Sequence, residues 1–169
     1  MKEVAELLNA MRDAGVISEY ALFGAIAQMR YTEAVATLDA DVLVAVPPPQ
    51  GLDILKPIYE FCAARGLQPE GEAIRVGDWP VQFVPVFSPL SEEALEHAET
   101  ADFEGTPIRV VRADHLAVIA LGAGRAKDHA RILALLESGN ASREQVARLA
   151  AQHGLADAWT RFEARFLND

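Results

Sequence analysis

The chain has 169 residues, enough for one domain with a real core, and 51% of them are hydrophobic, which excludes a disordered or fibrous protein. Its 25 acidic residues outweigh 15 basic ones, for a formal charge of −10. Affinity for nucleic acid comes mainly from neutralising phosphates, so this balance argues against broad nucleic-acid binding while leaving room for one basic pocket.

Residues 2–14 predict an amphipathic helix, because Val4, Leu7, Leu8 and Met11 recur at three- and four-residue spacing before Gly15 stops it. Its charged start, with Lys2, Glu3 and Glu6, lacks the apolar run of a signal peptide. No stretch reaches the ~20 apolar residues that span a bilayer, so the expected location is cytoplasmic, with no membrane partner. Residues 19–23 predict a short strand, and the small residues from Gly24 onward predict a turn into a helix through Arg30. Residues 35–46 predict a longer strand, closed by Pro47, Pro48 and Pro49, which cannot supply ladder donors. A helix over 52–65 follows, with Gly66 as its stop, and then paired strands at 73–76 and 81–86 joined through Gly77-Asp78-Trp79-Pro80. Ser91 predicts the N-cap of an acidic helix over 91–99, and 106–111 predicts a last strand. From Asp114 on the pattern is helical: 114–121, 127–137, 142–153 and 155–166. The expected class is α+β, with a mixed sheet flanked by helices over 1–112 and a C-terminal helical part over 113–169 packed on it as one unit.

Asp39 and Asp41 are one residue apart on a predicted strand, so their side chains point the same way. Two carboxylates on one face repel, and desolvation beside Leu38, Val42, Leu43 and Val44 adds to the cost. A divalent cation removes that cost, and Mg²⁺ prefers carboxylate oxygens together with substrate phosphates. The alternative is an Asp-x-Asp at an exposed strand end facing water. Some fifteen residues upstream, Phe23-Gly24-Ala25 is a glycine turn whose backbone amides can approach a triphosphate.

The segments Leu22-Phe23-Gly24-Ala25-Ile26-Ala27 and Thr37-Leu38-Asp39-Ala40-Asp41-Val42-Leu43-Val44 together resemble the signature of the nucleotidyltransferase superfamily. The closest likeness is to its minimal branch, the AbiEii-type toxin proteins and bacterial nucleotidyltransferase-like proteins. Their later Arg-x-Lys-Asp segment is matched by Arg125-Ala126-Lys127-Asp128. The resemblance spans residues 18–137 and implies a nucleotidyltransferase fold and Mg²⁺-dependent transfer of NMP from an NTP to an acceptor. By it, Asp39 and Asp41 bind the metal, Gly24 and Ala25 hold the phosphates, Lys127 contacts phosphate, and Asp128 positions other groups. Arg125 and Lys127 also supply basic donors near a helix start in their own right, the alternative being a solvated helix start. The acceptor is open: a protein, a small molecule or a short RNA.

Two departures qualify the likeness. Ala25 replaces the usual Gly or Ser, and Gln82 stands where active members carry a third carboxylate. Gln82 binds metal weakly and takes no proton, so a slow or inactive binding protein, related to toxin–antitoxin pairs, is the second expectation. The lone Cys62 predicts a buried apolar residue rather than a nucleophile. His97, His115, His129 and His153 show no histidine pair at i, i+4, so their spacing predicts no zinc site. Trp79 predicts packing over its hairpin, and Trp159, Phe162 and Phe166 the apolar face of the last helix.

Overall fold

The computed structural model describes residues 1–48 and 51–168. Its elements are, in chain order, α1 (Lys2–Asp13), β1 (Glu19–Phe23), α2 (Gly24–Gln28), β2 (Ala40–Ala45) and α3 (Lys56–Ala63). Next come β3 (Pro69–Glu70), β4 (Ala73–Val76), β5 (Trp79–Pro85), α4 (Pro89–Glu96), β6 (Glu99–Phe103) and β7 (Thr106–Val110). The helices α5 (Ala113–Ala123), α6 (Ala126–Glu137), α7 (Arg143–Gln152) and α8 (Ala156–Phe166) complete the chain. The strands form a single mixed sheet in the order β3-β4-β5-β2-β1-β7-β6. This is the expected α+β arrangement.

The centre of the sheet is buried on both faces. Successive side chains of a strand point to opposite sides, yet Tyr20, Ala21 and Leu22 of β1 and Val42, Leu43 and Val44 of β2 are all buried. The helix α1 buries Val4, Leu7, Leu8 and Met11, and its Asn9 side chain accepts a 2.8 Å hydrogen bond from the Tyr20 hydroxyl. The helix α5 is buried at Leu116, Ala117, Val118, Ala120 and Leu121, which explains its nearly continuous apolar sequence: it packs between α4, α6 and α7. Gly124 ends it in the left-handed conformation, at φ 67°, that a glycine C-cap supplies.

Several element bounds differ from the sequence-based expectation, each for a local reason. The strand expected over 35–46 begins only at Ala40. Its neighbour β1 leaves the sheet at Gly24, one residue past the Phe23↔Asp41 pair, so the ladder on that side runs out. On the other side Ala40 pairs with Val81, and the preceding Pro80 has no N–H to offer. Leu38 is accordingly 90% exposed, and Asp39 lies in a bend outside the strand. Helix 52–65 starts at Lys56, with Pro57 in its first turn, and Pro49 lies outside the described residues. The cap expected at Ser91 is Ser88: its hydroxyl accepts from the Ser91 N–H, and the Ser91 hydroxyl accepts from the Ser88 N–H.

The edge strand β6 has no counterpart in the sequence-based pattern, because four of its five residues are exposed. It pairs antiparallel with β7 through Glu104 and Gly105, both at positive φ (51° and 81°). Cys62, Trp159 and Phe162 are buried as expected. No helix among the described residues is long and apolar enough to cross a membrane.

Candidate active site

Three adjacent strands bring the site together. Asp41 of β2 stands beside Phe23 of β1 on one side and Gln82 of β5 on the other. Residues directly opposite across a ladder project from the same face, so Asp41 and Gln82 are neighbours there. Just past Phe23 the chain turns up at Gly24, whose φ of 66° lies in the left-handed region. The Asp41 carboxylate packs directly on this turn. A Cβ at Gly24 would overlap Asp41 Oδ2 and stand 3.3 Å from the carboxyl carbon.

Phe23, Ala25, Gln28, Thr37, Asp39, Asp41, Gln82, Arg125, Lys127 and Arg131 line a cleft of about 500 Å³ above this end of the sheet, with Val35, Ala36 and Leu38 at its rim. Of the residues singled out in the sequence, Ala25, Asp39, Asp41, Gln82, Arg125 and Lys127 line this cavity, although more than 80 positions separate Asp41 from Lys127. Gly24 packs against Asp41 and Asp128 against Arg125 without lining it. The lining residues do not share one setting. Asp39 is exposed and off the strand, held by Thr37, whose hydroxyl is 3.0 Å from its carbonyl and 3.2 Å from its Oδ1. Asp41 is half-buried. The expectation of two strand residues on one face is corrected to one strand carboxylate and one from the loop before it.

Burial holds the Asp41 carboxyl above the usual range, and the charge of Asp39 pushes it further the same way. Arg131, Lys127 and Arg125 pull in the opposite direction without cancelling the shift. The site therefore holds an under-compensated carboxylate that positive charge would stabilise.

A second layer supports the basic side of the cleft. Asp128 is fully buried in the first turn of α6 and accepts from the Arg125 backbone N–H at 3.2 Å and from Arg125 Nε at 2.6 Å. It also accepts from Arg131 Nη1 at 3.3 Å, while Arg131 Nε donates to Gln28 Oε1 at 3.1 Å. Asp128 is thus buried and hydrogen-bonded to two arginines that line the cleft rather than solvated at a helix start. Arg131 and Gln28 were missed by the sequence reading. The three-residue spacing of Asp128 and Arg131 on a helix was the available signal. His129 is half-buried, with its ring 5.1 Å from that of Phe166 and 5.7 Å from that of Phe162.

Gly24→Ala is expected to lower stability by about 1–2 kcal/mol from the left-handed backbone alone, and by more if Asp41 must move. Chemical denaturation measures the cost. A fall of less than about 0.5 kcal/mol would contradict the close packing of Asp41 on this turn.

No protein-family model matches the chain, and no curated protein matches it by sequence. Solved structures do. A nucleotidyltransferase-like antigenic protein from Paracoccidioides brasiliensis aligns with TM-score 0.57 at 13% identity, covering 98% of this chain and 97% of that one. The solution structure of the antibiotic-resistance factor ANT(2'')-Ia aligns with TM-score 0.54 at 14% identity, over 98% of this chain and 99% of that one. A crystal structure of ANT(2'')-Ia in complex with adenylyl-2''-tobramycin gives TM-score 0.53 at 14% identity, over 96% and 97%. The chain has the nucleotidyltransferase fold.

Proposed function

We propose that the protein transfers a nucleoside monophosphate from an NTP to an acceptor, with Asp39 and Asp41 as ligands of a divalent cation, Mg²⁺. The observation that carries this reading is the meeting of Asp41, Asp39, Lys127, Arg125 and Arg131 around one cleft floored by the Gly24 turn. The donor set fits the ion: hard carboxylate oxygens, one of them half-buried and short of positive charge. Asp39 and Asp41 would hold the ion, which would supply positive charge against the phosphates there. The turn at Gly24 leaves room for the Asp41 carboxylate, and Ala25 after it presents only a methyl group to the cleft. Lys127, exposed at the cleft, would meet a terminal phosphate as a point charge. Arg125 and Arg131 are held by Asp128 and so keep a fixed orientation toward the same space. Transfer forms a bond from the acceptor oxygen to the α-phosphorus and breaks the bond to the pyrophosphate oxygen, which leaves with the electron pair, while the acceptor's proton passes to solvent water.

The complex of ANT(2'')-Ia with adenylyl-2''-tobramycin supports a small-molecule acceptor as the first to try. A second reading rests on Gln82. It pairs in register with Asp41, where a carboxylate could take the acceptor proton, and glutamine cannot. This favours a slow enzyme or a nucleotide-binding regulator, and the toxin–antitoxin setting implied by the AbiEii likeness belongs with it.

Incubation of the purified chain with α-³²P-labelled NTPs, Mg²⁺ and pools of aminoglycosides, short RNAs or proteins tests the proposal. Label transferred to an acceptor with pyrophosphate release is the expected result, and no transfer from any NTP to any pool would overturn it. Gln82→Asp is expected to raise the rate at least tenfold by supplying a base beside Asp41. An unchanged rate would show that Gln82 does not limit turnover.

A further inference from the structure

Outside the cleft, α4 and α5 bring together Glu93, His97 and His115, one ligand atom from each lying within 4.8 Å of the others. Glu93 and His97 are four residues apart at the end of α4, a spacing that places both on one side of the helix. The absence of any histidine pair had hidden this cluster in the sequence, because one partner is a glutamate and the third residue comes from another helix.

The three groups are prepared as ligands. His115 is 5% exposed, and its Nδ1 lies 3.1 Å from Asp114 Oδ1. With Nδ1–H donating to that carboxylate, the lone pair sits on Nε2, the arrangement in which a carboxylate orients a metal-binding histidine. That Nε2 is buried and has no hydrogen-bond partner among the described residues. It stands 3.5 Å from Glu93 Oε1, close to the ~3.4 Å edge between two ligands of a tetrahedral ion with bonds near 2.1 Å. His97 Nδ1 lies 3.0 Å from the Glu93 carbonyl oxygen, which as a donor likewise leaves its Nε2 with a lone pair. The His97 ring stacks against that of His115, with centroids 5.8 Å apart, and being exposed it can close the remaining gap by side-chain rotation. The far oxygen of Glu93 accepts from Gln152 Nε2 at 2.9 Å and is 2.6 Å from His153 Nε2, which fixes the carboxylate from α7.

We propose that Glu93, His97 and His115 bind one Zn²⁺-class transition-metal ion, with water in the fourth position, at the junction of α4, α5 and α7. Two imidazoles and one carboxylate suit zinc and its neighbours and disfavour Mg²⁺, which seeks oxygen. Such an ion replaces a like-signed encounter of lone pair and carboxylate with two bonds. It also ties α4, which follows the sheet strand β5, to the helical C-terminal part. The site is separate from the cleft and does not depend on its activity.

The test is calorimetric titration of ZnCl₂ into the EDTA-dialysed full chain, paired with melting curves. Expected is one ion per chain with micromolar or tighter affinity, a raised Tm, and no competition from millimolar Mg²⁺. The exposed position of His97 makes His97→Ala a variant that should fold, and it should weaken binding at least tenfold. Asp114→Asn, which only orients His115, should weaken binding about tenfold while keeping the stoichiometry. The paired Asp39→Asn, Asp41→Asn variant should bind zinc as the wild type does. Failure of the wild type to bind zinc, or His97→Ala binding that matches it, would overturn the proposal. Loss of zinc binding in the Asp39, Asp41 variant would overturn it too, by placing the ion in the cleft.

Discussion

Asp41→Asn is expected to remove nucleotidyl transfer, by about 10³-fold or more, while making the protein more stable. The two effects have one cause. The folded pKa of Asp41 is raised by burial and by Asp39, so the folded state disfavours the ionised form. A carboxyl raised in this way contributes its full stability below the unfolded value, and that contribution is lost as pH rises through the folded one. Asparagine mimics the protonated group in shape and carries no charge at any pH. Its advantage over wild type should therefore be absent in acid and grow as pH rises past the ordinary carboxylate range. Melting curves of both proteins across pH 3–8 measure it, beside a labelling assay. Unchanged transfer would remove Asp41 from the site, and a wild type that outlasts the variant at neutral pH would contradict the electrostatics described. Asp39→Asn should lose activity as well but leave stability nearly unchanged, because Asp39 is exposed.

The largest stability loss is expected from Asp128→Ala. Its side chain is 1% exposed and meets the Arg125 backbone, the Arg125 guanidinium and Arg131, itself 12% exposed. Burial opposes its ionisation, but the hydrogen bonds and charges of Arg125, with the charge of Arg131, outweigh that and hold the carboxyl below its usual range. The stability this provides is present above the ordinary carboxylate pKa and is lost only as pH falls through the lowered folded value. Alanine leaves the half-buried Arg131 guanidinium with Gln28 as its remaining hydrogen-bond partner among the described residues and removes the acceptor at the start of α6. Breaking a buried pair in this way costs about 3–5 kcal/mol, or about 10 °C in Tm for a chain of this length. Affinity for a Mg²⁺–NTP complex should fall too, since Arg125 and Arg131 lose their shared anchor. A Tm drop below about 2 °C would show that the arginines find other partners.

Much of this site was legible from residue types in order. Ala25, Asp39, Asp41, Gln82, Arg125 and Lys127 line one cleft, with Gly24 packed against Asp41 and Asp128 bonded to Arg125. The signals were local and strong: a glycine before a helical run, charges inside an apolar strand, a basic segment after a helix stop. What escaped depended on neighbours in space. Asp39 looked like a strand residue because Val35 and Leu38 extend the apolar pattern, but β1 leaves the sheet too early to pair with them. The strand β6 was hidden because an edge strand exposed on both sides has no reason to alternate. Ser88 lost to Ser91 as the expected cap, although Pro89 directly after it marks the first helical position. Arg131 and Gln28 read as ordinary helix positions, since nothing in the order of residues shows that Arg131 reaches back 103 positions to Gln28.

The central claim is that Asp39 and Asp41 hold a divalent cation together with an NTP, and a melting experiment tests it most directly. A ligand that binds only the native state raises stability by about 2.7 kcal/mol at one hundred times its Kd, some 5–10 °C here. The account predicts a rise of that order for at least one NTP, requiring both nucleotide and Mg²⁺, and absent in Asp41→Asn. No rise with any NTP and Mg²⁺, or an equal rise in Asp41→Asn, would contradict it.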